Sequence, residues 1–330
     1  MEIRSMRVRS PYAGLFAAVA LLSACGGGGG GGNDPSPTPE PSWGELVFQT
    51  GYENNVGSPL DAHQSISGAD QSFTEKNDWE QNLVGHPNID DAWIFYEGGT
   101  AAQRYAKIIT DPADPANKVL HYWLGEAYIP YGTNKLKGRI QATIDANSLY
   151  EFKMKHKLFL PEDMRTLTTT SESFRWLTIQ EFWNDPVESS YPFRISVNII
   201  KPDSGPELRF AVAGQTKRSN EEAWDDVWRS EDTTLSIPIG EWITLETYFK
   251  EGNASTGRFS LTVTTATGEQ YLVADMTNFT YHPSDPSPDG LNNFNPMKLY
   301  APDRLISPMQ QAGKALQLYW DDFELRVKAP

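Results

Sequence analysis

Tyr150-Glu151-Phe152-Lys153-Met154-Lys155-His156-Lys157-Leu158-Phe159-Leu160 decides the fold. Phe152, Met154, His156, Leu158 and Leu160 fall on one side of an extended chain. Glu151, Lys153, Lys155 and Lys157 fall on the other. A period of two belongs to a strand that buries one face and shows the other. Phe193-Arg194-Ile195-Ser196-Val197-Asn198-Ile199 repeats the pattern, with Arg194, Ser196 and Asn198 on the polar side. Residues 258–263 alternate in the same way. Further strand-like runs between turn residues cover 46–50, 104–109, 119–124, 139–144, 176–183, 208–213, 242–250, 297–300 and 316–327. Only 301–311 offers a short helix. Many strands and few helices predict an all-β chain, an antiparallel β-sandwich of two packed sheets. The polar face of a curved sheet then forms a cleft suited to an extended polymer.

Composition agrees with that class. The chain has 330 residues, 39% of them hydrophobic, which suffices for a packed core. Its 28 Lys+Arg against 43 Asp+Glu give a net charge of −15 and argue against nucleic acid as partner, since phosphate binding needs excess cations. The single cysteine excludes an internal disulfide framework and a Cys-rich zinc site. Arg4, Arg7 and Arg9 precede an apolar run, 13–22, too short to stay in a bilayer as a spanning helix. The run ends in Leu22-Ser23-Ala24-Cys25, which resembles a bacterial lipoprotein box. The resemblance implies a signal peptide over 1–24 and lipidation of Cys25, hence a membrane anchor on the bacterial cell envelope, with the outer membrane as the expected site. Loss of the signal, with its three Arg and one Glu, makes the remaining chain two units more negative. Residues 25–44 are Gly- and Pro-rich and read as a flexible tether, leaving 45–330 as one β domain.

Several segments carry a wider resemblance. Phe48-Gln49-Thr50-Gly51-Tyr52-Glu53 near the start and Leu318-Tyr319-Trp320-Asp321-Asp322-Phe323-Glu324-Leu325 near the end look like paired terminal strands. Ile239-Gly240-Glu241-Trp242, followed by Gly257-Arg258-Phe259, looks like a jelly-roll double strand. Together they resemble concanavalin-like jelly rolls, especially polysaccharide lyases of the alginate-lyase and heparin-lyase type. Gly138-Arg139-Ile140-Gln141-Ala142 sits where such lyases carry Arg-x-Glu, with Gln141 in place of the glutamate. Leu177-Thr178-Ile179-Gln180-Glu181-Phe182 looks like their Gln-x-His strand, with Phe182 where the histidine would stand. Lys298-Leu299-Tyr300 looks like part of their Lys-x-Gly-x-Tyr strand, with shifted spacing.

The resemblance implies a lyase acting on a uronate-containing extracellular polysaccharide by β-elimination. That chemistry must neutralise the C6 carboxylate, remove the C5 proton and protonate the departing O4. Arg139, Gln180 and Asn198 are the candidates for the first task, and Tyr300 for base or acid. Gln141, Arg194 and Lys298 share strand parity with them and are candidate substrate contacts. His121 and Trp123 are further substrate contacts, with His121 either in the cleft or in the core. His156, on an apolar face, reads as a core histidine and otherwise as an alternative base. Trp183, Trp224 and Trp228 join Trp123 as sugar-stacking candidates. Glu221-Glu222-Ala223-Trp224-Asp225-Asp226 reads as a solvated acidic loop. The two flanking carboxylates of a glycosidase pattern are absent, as are phosphate-loop, Gly-x-Ser-x-Gly and His-Glu-x-x-His motifs. Glu53 and Asp322 (or Asp321), on the two terminal strands, could share a structural calcium ion; no organic cofactor is expected. The rival readings are a non-catalytic glycan-binding surface lipoprotein and an adhesive envelope protein.

Overall fold

The computed structural model describes residues 43–53, 66–185, 189–218 and 223–328. The signal peptide, Cys25 and all but the last two residues of the tether lie outside the described residues. The segment Ser42–Pro330 forms a single compact unit. None of its described helices is long and apolar enough to cross a membrane.

Two eight-stranded antiparallel sheets make up the unit. Sheet A runs β14 (Gln270–Thr277), β13 (Arg258–Thr264), β12 (Trp242–Lys250), β7 (Glu151–Phe159), β16 (Leu316–Val327), β4 (Lys118–Leu124) and β3 (Arg104–Thr110), with β1 (Glu45–Thr50) on β16. Sheet B runs β11 (Trp224–Glu231), β10 (Arg209–Lys217), β9 (Phe193–Ile200), β8 (Thr178–Asp185), β15 (Leu291–Pro302), β6 (Lys135–Leu149) and β2 (Ile89–Tyr96), with β5 (Ile129–Tyr131) on β6. The sequence pattern did not show β2, β5 or β14. It also read part of β11 as a solvated acidic loop, whereas Trp224, Asp225 and Asp226 pair with β10. Two short helices, α1 (Arg165–Thr169) and α2 (Asp303–Gln311), flank the sheets. The second fulfils the expectation for 301–311.

Alternation builds the interior. On β7, Phe152, Met154, His156 and Leu158 are buried while Lys153 and Lys155 are exposed. Phe152 meets Phe249 of its own sheet at 5.3 Å and Phe294 of the facing sheet at 5.4 Å between ring centres. Phe182 of sheet B likewise meets Phe259 of sheet A at 5.4 Å. Such ring pairs join the layers, and truncating any one to alanine costs about 3–5 kcal/mol.

Two irregularities aim the polar face of sheet B. Between Thr178 and Gln180, β8 advances two residues while β9 advances one. On β15, residues 294 to 297 oppose only 144 to 142 of β6. Pro296, which has no N–H to give the ladder, sits in that second bulge. Each bulge shifts which residues look outward downstream.

Candidate functional site

The outer face of sheet B carries a groove of about 790 Å³. Register defines its floor as transverse rows. Arg139 of β6 lies opposite Tyr300 of β15, Tyr300 opposite Thr178 of β8, and Thr178 opposite Asn198 of β9. A second row brings Trp183, Arg194, Gln215 and Asp226 together across β8 to β11. Thus Arg139, Tyr300, Asn198 and Arg194 do share one groove.

Around Tyr300 the positive charges gather. Lys137 Nζ lies 5.2 Å from the centre of its ring, Arg139 Cζ 5.7 Å, and Lys298 Nζ 5.2 Å. Trp176 packs on the same ring at 5.0 Å. Arg139 is held by Glu97, Nη2 to Oε2 at 2.7 Å, and its Nε is buried without a hydrogen-bond partner. Further along, Arg194 lies 4.1 Å over Trp224 and donates Nη1 to Glu181 Oε1 at 2.9 Å and Nε to Gln215 Oε1 at 3.0 Å. Trp183 meets Trp224 edge-on at 5.3 Å. Cation and ring alternate along the groove, as expected where sugar faces stack and carboxylates pair.

Set into the floor is an ion triad, with Glu181 and Arg194 on the groove side and Lys298 beneath. Glu181 is 2% exposed and takes Lys298 on one oxygen and Arg194 on the other. Burial pushes its carboxyl up, but Lys298 and Arg194 outweigh that and hold it at about 2. Burial pushes the Lys298 ammonium down to about 8 against the attraction of Glu181. Asn295 accepts from Lys298 at 3.5 Å and donates to Thr143 at 3.2 Å, and Gln141 donates to the same Thr143 hydroxyl at 2.9 Å. Gln141 Oε1 is buried with no partner.

Several expected site residues lie elsewhere. Gln180 is fully buried between the sheets, its amide 2.8 Å from His156 Nε2 and its carbonyl accepting from Thr247. The bulge after Thr178 turned it inward and put Glu181 in the outward place. Lys298 lies under the floor as the partner of Glu181, so it is no direct substrate contact. His121 and Trp123 sit on β4 in the other sheet. There His121 stacks on Tyr319 at 4.4 Å and Trp123 on Tyr105 at 5.0 Å. Burial drives His121 down to about 4 and His156 down to about 3, so both are neutral at ordinary pH. Trp228 is core. Asn198 lines the groove, yet its amide is already engaged by Thr178 at 2.8 Å and Ser196 at 3.0 Å. It stands three strand spacings, about 14 Å, from Arg139. One sugar carboxylate therefore does not meet both.

The sequence reading missed Lys137, Glu97, Trp176 and Glu181. Lys137 was findable, because it stands two residues before Arg139 on the same strand face.

Glu53 and Asp322 meet at one corner, where a Cβ on Gly51 would lie 2.5 Å from the first and 3.3 Å from the second. Asp322 is already paired with Lys157 at 2.6 Å. Among the described residues no three His, Cys, Asp or Glu side chains are arranged to hold a metal ion. These two carboxylates alone do not fit a calcium site.

No protein-family model matches the chain, and no curated protein sequence matches it. Solved structures similar to it include the alginate lyase Aly36B, at 15% identity over 71% of this chain and 88% of that one, TM-score 0.41. An endo-β-1,4-glucuronan lyase from the fungus Trichoderma reesei is 12% identical over 72% and 90%, TM-score 0.40. A PL-14 alginate lyase from Aplysia kurodai is 10% identical over 86% and 99%, TM-score 0.43.

Proposed function

We propose that the chain is a polysaccharide lyase that cleaves a uronate-containing polymer by β-elimination in the groove of sheet B. One observation carries this reading. In a chain of net charge −15, cations outnumber carboxylates along this groove: Lys137, Arg139, Arg175, Arg194, Lys217 and Arg229 line it with Glu97, Glu181 and Asp226, and Glu231 pairs with both Arg175 and Arg229. A cleft lined with an excess of one charge focuses its field and raises the local concentration of the opposite ion.

In the reaction, Arg139 pairs with the C6 carboxylate and stabilises the charge that grows there as the C5–H bond weakens. The C5 proton passes to a base, the C4–C5 double bond forms, the C4–O4 bond breaks, and O4 leaves with a proton. Tyr300 and Lys137, side by side next to Arg139, are the proton-transfer groups for these two steps. Trp176 supports the ring at the cleavage point, while Arg194 and Trp224 engage a sugar unit further along. Asn198 contributes a polar contact at the floor, whereas Gln141, buried beside Thr143, is not among the residues that line it. The same reading places the protein on the outside of a bacterial cell, held by acyl chains on Cys25.

The test is to incubate the chain with alginate, glucuronan, ulvan and heparin-type polymers and follow ultraviolet absorbance of the unsaturated product. Activity should sediment with membranes from the expressing cells and move to the soluble fraction in Cys25→Ser. No absorbance with any polymer, together with retarded migration in polymer-containing gels, removes the lyase and leaves a glycan-binding protein.

A further inference from the structure

A second cavity, of about 340 Å³, lies on the outer face of sheet A, in the layer opposite the groove. Its floor is two cross-strand rows set by register. One is Ser260, Tyr248, Lys153 and Arg326; the other is Thr262, Glu246, Lys155 and Glu324. Trp43 stands over the first row, edge-on to Tyr248 at 5.8 Å, with Lys153 Nζ 4.8 Å from its ring.

The chemistry here differs from that of sheet B. Lys155 is paired with Glu246 at 3.8 Å and Arg326 with Glu324 at 2.5 Å. The remaining cation, Lys153, rests between the two aromatic rings. Both carboxylates neutralise a neighbouring cation, so the floor keeps an excess of one positive charge, that of Lys153 held against the rings, against the wider excess in the groove of sheet B. What the trough does offer is an aromatic wall beside a strip of donors and acceptors. The strip is about 14 Å long across four strands. That combination suits the apolar face and the hydroxyls of a sugar chain.

We propose that this trough is a second glycan-binding site, for an uncharged polysaccharide, on the sheet opposite the lyase groove. A protein so equipped holds one polymer on sheet A while sheet B works on another. The two sites are separable, since neither shares a residue with the other.

The experiment is native affinity electrophoresis of the full chain in gels containing hydroxyethylcellulose, xyloglucan, galactomannan or alginate. At least one uncharged polymer should retard the protein, and should still do so at about 1 M salt, where the screening length is about 3 Å. Trp43→Ala and Tyr248→Ala should each lower apparent affinity for it about tenfold, with melting temperatures checked alongside. Both should leave any alginate retardation unchanged. Arg139→Ala should do the reverse. If no uncharged polymer retards the chain, or if both aromatic variants migrate like the wild type, the second site is refuted. That outcome is independent of the lyase reading, which stands or falls on the unsaturated product.

Discussion

Tyr300 and Arg139 face each other across one strand gap, so under the proposed lyase reading a change at either acts on the same bond-breaking step. Tyr300→Phe keeps the ring against Trp176 and removes only the hydroxyl. It is expected to lower kcat about 10²- to 10⁴-fold with little change in KM. Arg139→Ala should lower kcat/KM comparably; rates within a factor of two of wild type in both would place the chemistry elsewhere. His156 gives a pH prediction of a different kind. It is held neutral, with its pKa brought from 6.5 to about 3 by burial. Below pH 6.5 the unfolded chain takes up a proton that the folded one refuses, so the folded state loses stability as pH falls from there towards 3. His121, at about 4, adds to the same slope. His156→Gln, which can still bond Gln180, should therefore lose less melting temperature between pH 7 and pH 5 than the wild type; equal losses would show that the histidine does not titrate this way. Residue identity was legible wherever a strand kept strict alternation, as for Arg139, Arg194 and Tyr300. It was not legible for Gln180, because a bulge is a backbone event that leaves no hydrophobic signature.

Strands β8, β9 and β15 are tied by the Glu181 triad as well as by their ladders. Breaking a buried pair leaves an unpaired charge and costs about 3–5 kcal/mol, whereas replacing both partners by apolar groups is near neutral or stabilising. Glu181→Leu and Lys298→Met should each destabilise by that amount in urea unfolding. The double variant should recover most of the loss in stability, yet bind the polymer less well because Arg194 loses its anchor. A double variant as unstable as the sum of the singles would mean the triad does not act as one unit. The long strands with clean periodicity, such as β7, β9 and β13, were readable from the sequence for the same reason they form: one face is paid in full by burial. Edge elements such as β11 and β14 bury fewer side chains, carry acidic or mixed residues, and gain their shape from a neighbouring strand, so composition alone concealed them.

On the scale of the whole molecule, two electrostatic ranges compete. A chain of net charge −15 repels a polyanion at a distance, and the cationic groove attracts it on contact. At about 0.01 M ionic strength the screening length is about 30 Å, so an approaching polymer feels the entire negative surface. At about 0.1 M it falls to about 10 Å, which hides most of that surface while the groove still acts within reach. At about 1 M, with about 3 Å, the groove's own contacts are weakened. Initial rates on the cleaved polymer, followed by ultraviolet absorbance across this series, should therefore rise and then fall, with kcat/KM peaking near the middle and kcat nearly constant. A rate that only declines from the lowest salt would mean the groove dominates at every distance. A rate indifferent to salt would mean that charge plays no part in capturing the substrate, and the reason for assigning this groove an anionic polymer would be gone.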